Sequence, residues 1–352
     1  MRQWLISTAL VLGLTAASHA AQRSNLTVGT ATAAPGEKAT GAIEVPAGSD
    51  PATSIPVVVM NGTKPGPVLA LVSGLHGTEY ASIIALEQVI ARLDPRTLSG
   101  AVIVLPLVNI PSFSQKVPHV NPVDRKSMNR FYPGNSSGTQ TERASYLITR
   151  EVVDKCDHLI DLHGGDLDES LRPYAYWSRT GNPIDRISRE MVLAFGLDHI
   201  IISEDRPKDP AASRYLENTA TTRGKASITA EAGHAGTVEP EDVEALVNGC
   251  LNVMRYLKIL PGDYHPVQNP VWIARVLTVS SDSPGIFYSQ VKRGTYVEKG
   301  MRIGYVTDFY GKQVFEARAP ESGVVLYICA VPSMDKGGTI ANIGIVAASA
   351  PQ

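Results

Sequence analysis

The chain has 352 residues, 43% hydrophobic and 19% charged, with 32 Lys and Arg against 34 Asp and Glu and a formal net charge of −2. This composition excludes a disordered or collagen-like chain. It also lacks the basic footprint of a nucleic-acid binder and any polybasic run for an anionic membrane surface. Function therefore has to lie in a site built from particular side chains.

The elements read in order along the chain. Met1-Arg2-Gln3 is a short basic start, Trp4–Ala17 is apolar, and Ser18-His19-Ala20 places small residues at the cleavage positions. This pattern predicts a signal peptide over 1–20 and an exported protein, periplasmic or secreted, with no membrane contact after cleavage. The apolar run is short for a bilayer span, and no later run is long enough for one. Residues 21–55 are rich in Ala, Thr, Ser and Gly, with short strand-like stretches. Strands are then expected at Pro67–Gly74, Ala101–Val108, His158–Leu162, His199–Ser203 and Ala226–Glu231. Helices are expected at Tyr80–Leu93, which stops before Pro95, and at Thr141–Val153, Asp185–Phe195 and Glu239–Leu257. Alternation of this kind predicts an α/β sheet with helices on both faces.

The texture changes at Pro261-Gly262-Asp263. Beyond it, short strand runs alternate with glycine turns and no helix is evident, which predicts a small all-β barrel or sandwich. The expected division is a leader at 1–20, a catalytic domain at 21–262 and a small β-domain at 263–352. Nothing in the last segment reads as catalytic, and Lys292-Arg293 read as solvated surface. The cysteines Cys156, Cys250 and Cys329 are isolated and odd in number, and so read as small buried hydrophobes.

Four segments carry chemistry. In Gly74-Leu75-His76-Gly77-Thr78-Glu79 a buried strand runs into a glycine-framed loop, with His and Glu three apart, just before a helix. Loops at the C-terminal edge of an α/β sheet are where ligands bind, and imidazole with carboxylate suits Zn²⁺. Asp161-Leu162-His163-Gly164-Gly165 ends a second strand in the same way. Three ligands with one open position is the pattern of catalytic zinc, and His76, Glu79 and His163 would supply it. In that case Asp161 either caps its strand or supports His163 from behind. Glu231 closes the apolar strand Ile228-Thr229-Ala230, where a half-buried carboxylate needs a reason; beside a metal-bound water it would be the general base. Asn129-Arg130, before Phe131-Tyr132-Pro133-Gly134, offers a guanidinium fork matched to a carboxylate and an adjacent amide donor. Asp166, Asp168, Glu169 and Arg172 follow His163 and read either as pocket lining or, more plainly, as a solvated loop.

Taken together, these motifs resemble the succinylglutamate desuccinylase/aspartoacylase family, relatives of the M14 zinc carboxypeptidases. The resemblance runs from about Pro56 to the C-terminus, and the phrasing of the tail resembles barrel-sandwich domains of the biotinyl/lipoyl type, with Lys312 at a hairpin tip as an ordinary exposed lysine. It implies a carboxypeptidase-like α/β/α core around a mixed sheet and one Zn²⁺ per chain on His76, Glu79 and His163. It further implies Glu231 as base and acid, and Asn129 with Arg130 on a substrate carboxylate. The implied reaction is deacylation of a small N-acyl amino acid. Alternatives are an exported carboxypeptidase or amidase acting on short peptides, and a non-catalytic binding protein. A homo-oligomer through the β-segment is also allowed. One departure stands out: the arginine that family members often carry in the Ser112–Val120 stretch, thought to polarise the scissile carbonyl, is absent, and Lys116, His119 and Arg125 are what the neighbourhood offers.

Overall fold

The computed structural model describes residues 23–351, so the expected leader at 1–20 lies outside the described residues. Twelve of the described strands form one mixed sheet. At its centre lie four parallel strands, in the spatial order Ser99–Leu105, Lys64–Ser73, His158–His163 and Ala226–His234. The antiparallel strands Thr53–Asn61 and Glu37–Val45 extend one edge.

Alternation along the central strands explains why both faces are covered. Leu69, Leu71, Ile160, Leu162, Ile228 and Ala230 point to one face, where they pack against the helices Tyr80–Arg92, Asp185–Phe195 and Pro240–Tyr256. Ala70, Val72 and Leu159 point to the other, beneath Gln140–Ile148 and Leu216–Thr222. Each large side chain buried in this way contributes roughly 1.5–3 kcal/mol. The helix expected at Thr141–Val153 is α-helical over Gln140–Ile148 and widens to a π-type turn over Thr149–Val153.

The second edge differs from expectation. The strand Glu169–Ser178 lies antiparallel to Ala226–His234 and leads on to His199–Ser203 and Val271–Ser280. From there Thr339–Val346 and Gly323–Cys329 continue the sheet, and Tyr327, Ile328 and Cys329 pair back with Leu171, Ser170 and Glu169. These five strands thus close on themselves. The break in texture at residue 263 marks where helices stop; the sheet itself runs through it, because the strand at Val271–Ser280 completes the open edge of His199–Ser203. The strand Glu169–Ser178 has no legible signal: its sequence, ESLRPYAYWS, carries Pro173 and no clean two-residue alternation.

Candidate metal centre

Strand ends assemble the site. The strand Lys64–Ser73 stops at Gly74, whose φ of +67° suits glycine, and the loop returns through His76 to Glu79. Glu79 is the residue just before the helix Tyr80–Arg92, yet its carboxylate makes no cap bond with that helix. It faces two histidines instead, with Oε1 2.7 Å from His76 Nδ1 and Oε2 2.9 Å from His163 Nδ1. His163 ends its own strand. Since Ile160 and Leu162 point into the core, Asp161 and His163 point the opposite way. Parallel register sets Glu231 beside His163 and Thr229 beside Asp161.

His76, Glu79 and His163 present ligand atoms within 4.8 Å of one another, a geometry that can hold a metal ion. The groups behind them fit one. His76 Nε2 lies 3.2 Å from Ser127 Oγ. Asp161 is wholly buried, and its Oδ1 has no hydrogen-bond donor although His163 Nε2 is 3.2 Å away. A cation on His163 Nδ1 would leave the ring proton on Nε2, where that orphaned oxygen accepts it.

The electrostatics follow from burial and neighbours. Burial opposes ionisation of Glu79, but His163 and His76 overcome it and hold its carboxyl down at about 2. Burial likewise disfavours the His163 imidazolium, but the Asp161 and Glu79 carboxylates raise its pKa well above the ordinary value. Glu231 is pushed up to about 7 by burial, against the pull of His163, with Glu79 and Asp161 adding to the rise. A carboxylate near neutrality is matched to taking up and releasing a proton. Glu169 is raised to about 8 by burial, with the Glu79 and Glu231 charges adding.

Other expected residues fall as follows. Asn129 is buried on the same wall, its Nδ2 3.0 Å from His163 Nε2 and its Oδ1 accepting from the Leu216 amide at 2.9 Å. Arg130 lies over the Tyr215 ring and forms no ion pair among the described residues. The segment read as a solvated loop is instead structural. Asp166 is fully buried and accepts from Thr78 Oγ1 and from the amides of His119 and Leu167. His119 directs its two ring nitrogens at Asp166 and Asp168, at 3.3 and 2.8 Å, so neither N–H is free for a substrate oxygen. Arg125 is exposed and does not line the cavity. Glycines let the two loops meet: a Cβ on Gly233 would collide with the Gly165 backbone. Arg293, expected at the surface, donates to Leu171 O, Gly233 O and Asp242 Oδ2 at 2.8–3.0 Å, pinning the bulge that follows Glu231.

The His76–Glu79–His163 group opens into a cavity of about 620 Å³. Glu169, one of the residues that could line the pocket, is in its wall; beyond those expected from sequence, the walls include Tyr174, Tyr176, Arg206 and Tyr215, and Arg275, Tyr327 and Asn342 come from the C-terminal strands. Sequence gave no motif for these, because their placement depends on the closing of the five strands.

Residues 65–257, more than half of the chain, match the family described as succinylglutamate desuccinylase/aspartoacylase catalytic domain. The chain is 28% identical over 309 residues to the N-alpha-acetyl-L-2,4-diaminobutyric acid deacetylase of Halomonas elongata, which covers 85% of this chain and 87% of that one. Two solved structures share the fold. The product-bound ectoine utilization protein EutE (DoeB) of Ruegeria pomeroyi superposes with a TM-score of 0.80 at 23% identity, over 92% of this chain and all of that one. The succinylglutamate desuccinylase/aspartoacylase of Rhodobacter sphaeroides gives 0.78 at 22% identity, over 89% and 96%. These relatives correct the expectation of an exported, periplasmic or secreted protein. None of them is named as an exported enzyme, and the leader behind that expectation lies outside the described residues. Among the described residues no helix is long and apolar enough to cross a membrane. The match across the core, with the His76, Glu79 and His163 motifs inside it, places this chain in the succinylglutamate desuccinylase/aspartoacylase family.

Proposed function

We propose that this protein is a zinc-dependent deacylase that hydrolyses the amide of a small N-acyl amino acid. The observation that carries the reading is the His76–Glu79–His163 group with Glu231 beside it, opening into a cavity sized for a small molecule. The relative named as an acetyl-diaminobutyrate deacetylase supports the substrate class. Two histidines and a carboxylate suit zinc, which when bound there supplies a Lewis acid and acidifies water.

The chain's own residues do the rest. Glu79 and the two histidines form the ligand set, and Asp161 and Ser127 orient the histidine rings from behind. Glu231 takes a proton from the attacking water on its carboxylate and returns it to the amide nitrogen as the C–N bond breaks. Arg130 grips the substrate carboxylate, with Asn129 beside it on the same wall. Holding the amide against Glu231 in this way lowers the entropic part of the barrier. Residues 263–352 form a small β-unit of barrel-sandwich type whose core around Phe287, Ile303, Val325 and Ile343 is shared with Leu171, Tyr174 and Ile201 of the preceding strands, and its strands wall off the cavity.

The test is acetate release from N-acetyl amino acids by zinc-loaded protein and by Glu231→Gln. Replacing the base should cut kcat by roughly 10²–10⁴-fold while zinc content stays the same. A Glu231→Gln protein that keeps zinc and full activity would refute the assignment. Turnover confined to dipeptides would turn the reading into a peptidase.

A further inference from the structure

The cavity wall holds a second arginine that the reaction above leaves unused. Arg206 follows the strand His199–Ser203 and lines the cavity. Its guanidinium carbon lies 3.9 Å from the centroid of the Tyr215 ring and 5.7 Å from that of Tyr176. Arg130 rests on the same Tyr215 ring, at 4.8 Å. Two guanidiniums therefore share one aromatic ring.

Arg206 is half-buried, and the Glu217 and Asp205 charges act on it from nearby without closing an ion pair. Among the described residues it forms no ion pair, and its buried Nε has no hydrogen-bond acceptor. The nearby buried acid, Glu217, is bonded to Ser178 Oγ; burial raises its carboxyl and the Arg206 charge draws it partly back. The other buried acids of the cavity belong to the metal end: Glu79 faces the histidines, Glu231 sits beside His163, and Glu169 accepts from the Asp166 amide. An arginine stacked on an aromatic face keeps its planar fork of N–H donors free at the edge, the arrangement that matches a carboxylate. Burying the Nε–H without an acceptor is costly, so the position makes physical sense when an anion completes it.

We infer that Arg206 and Arg130, held by Tyr215, form a two-arginine clamp on the free carboxylate of the substrate, which makes Arg206 a specificity-determining residue for unblocked N-acyl amino acids. The inference rests on the proposed function. It adds that a substrate whose carboxylate is masked as an amide is rejected, because it leaves both guanidiniums unpaired.

Calorimetry on zinc-loaded protein in a Glu231→Gln background measures binding without turnover. The two probes are N-alpha-acetyl-L-2,4-diaminobutyrate and its carboxamide. Arg206→Gln should weaken carboxylate binding by roughly 10- to 100-fold, the range of one lost charge-assisted pair, and leave carboxamide binding within about twofold. Arg206→Lys, which keeps the charge but loses the fork, should fall between, with zinc content and Tm held as controls on folding. Equal weakening of both probes by Arg206→Gln, or no weakening of the carboxylate, overturns the clamp. If the parent protein binds both probes equally, the clamp fails and the deacylase reading stands. If it binds neither, the substrate reading fails and the clamp with it.

Discussion

Asp161 offers a test of the metal centre that does not depend on turnover. Its carboxylate is wholly buried, its Oδ1 lacks a donor, and the nearest nitrogen is His163 Nε2 at 3.2 Å. With zinc on Nδ1, this contact becomes a charge-assisted hydrogen bond that fixes the tautomer and strengthens the ligand. Bonds of that kind contribute about 1.5–3 kcal/mol, so their loss corresponds to roughly 10- to 150-fold in affinity. Mutation of such supporting groups in other metal sites costs about 10–100-fold, which agrees. Asp161→Asn keeps an acceptor but loses the charge, so it should sit near the low end, and Asp161→Ala near the high end. Competition for zinc against a fluorescent chelator at fixed pH reads the affinity directly, and circular dichroism confirms that the variants fold. Both variants binding zinc within about twofold of the parent would refute the argument that Asp161 supports His163.

Three further outcomes are expected. In metal-free protein, Glu169 and Glu231 are raised to about 8 and about 7, above the value of about 4.5 they take when unfolded. The folded state then holds more protons between about pH 4.5 and 8, so stability should fall as pH rises through that window, by on the order of a kcal/mol per group for each pH unit. Thermal melts should show the decline, and Glu169→Gln should flatten it; an unchanged slope would count against a buried, protonated Glu169. Gly233→Ala forces a methyl into the Gly165 backbone, so we expect about 1–3 kcal/mol lost in denaturant melts and a drop in kcat. A fully active, equally stable variant would show that the two loops do not need this contact. Arg293→Gln removes three bonds and leaves the buried Asp242 without its cation, and should cost about 2–4 kcal/mol with a loss of kcat at unchanged KM. Loss of stability alone, with kcat intact, would confine Arg293 to a structural role.

Much of this protein is legible in its sequence, for local reasons. Apolar runs and helical spacing announce the central strands and the helices Tyr80–Arg92, Asp185–Phe195 and Pro240–Tyr256, because these elements are set by nearest-neighbour burial. His76, Glu79, His163 and Glu231 stand out because they are polar residues at or just past the ends of buried strands, near glycines, where an unpaired polar group would be costly. Asn129 and Arg130 were legible as a pair, though not that Asn129 would turn to His163.

Only the tertiary structure decided how these pieces meet. Parallel register puts Glu231 next to His163, and no local spacing encodes a register across 68 residues of chain. The pairing of Tyr327–Cys329 with Glu169–Leu171 closes five strands and brings Arg275, Tyr327 and Asn342 to the cavity. Asp166 and Arg293 look like surface charges in sequence, yet they are tied to backbone groups far along the chain. Arg206 sits in a stretch with no motif, and its meaning comes from sharing the Tyr215 ring with Arg130. The sequence by itself determined which residues are candidates for chemistry, because polar groups at buried strand ends betray themselves locally. The fold decided which of them share a cavity, because strand pairing and ring stacking are long-range contacts with no local signature.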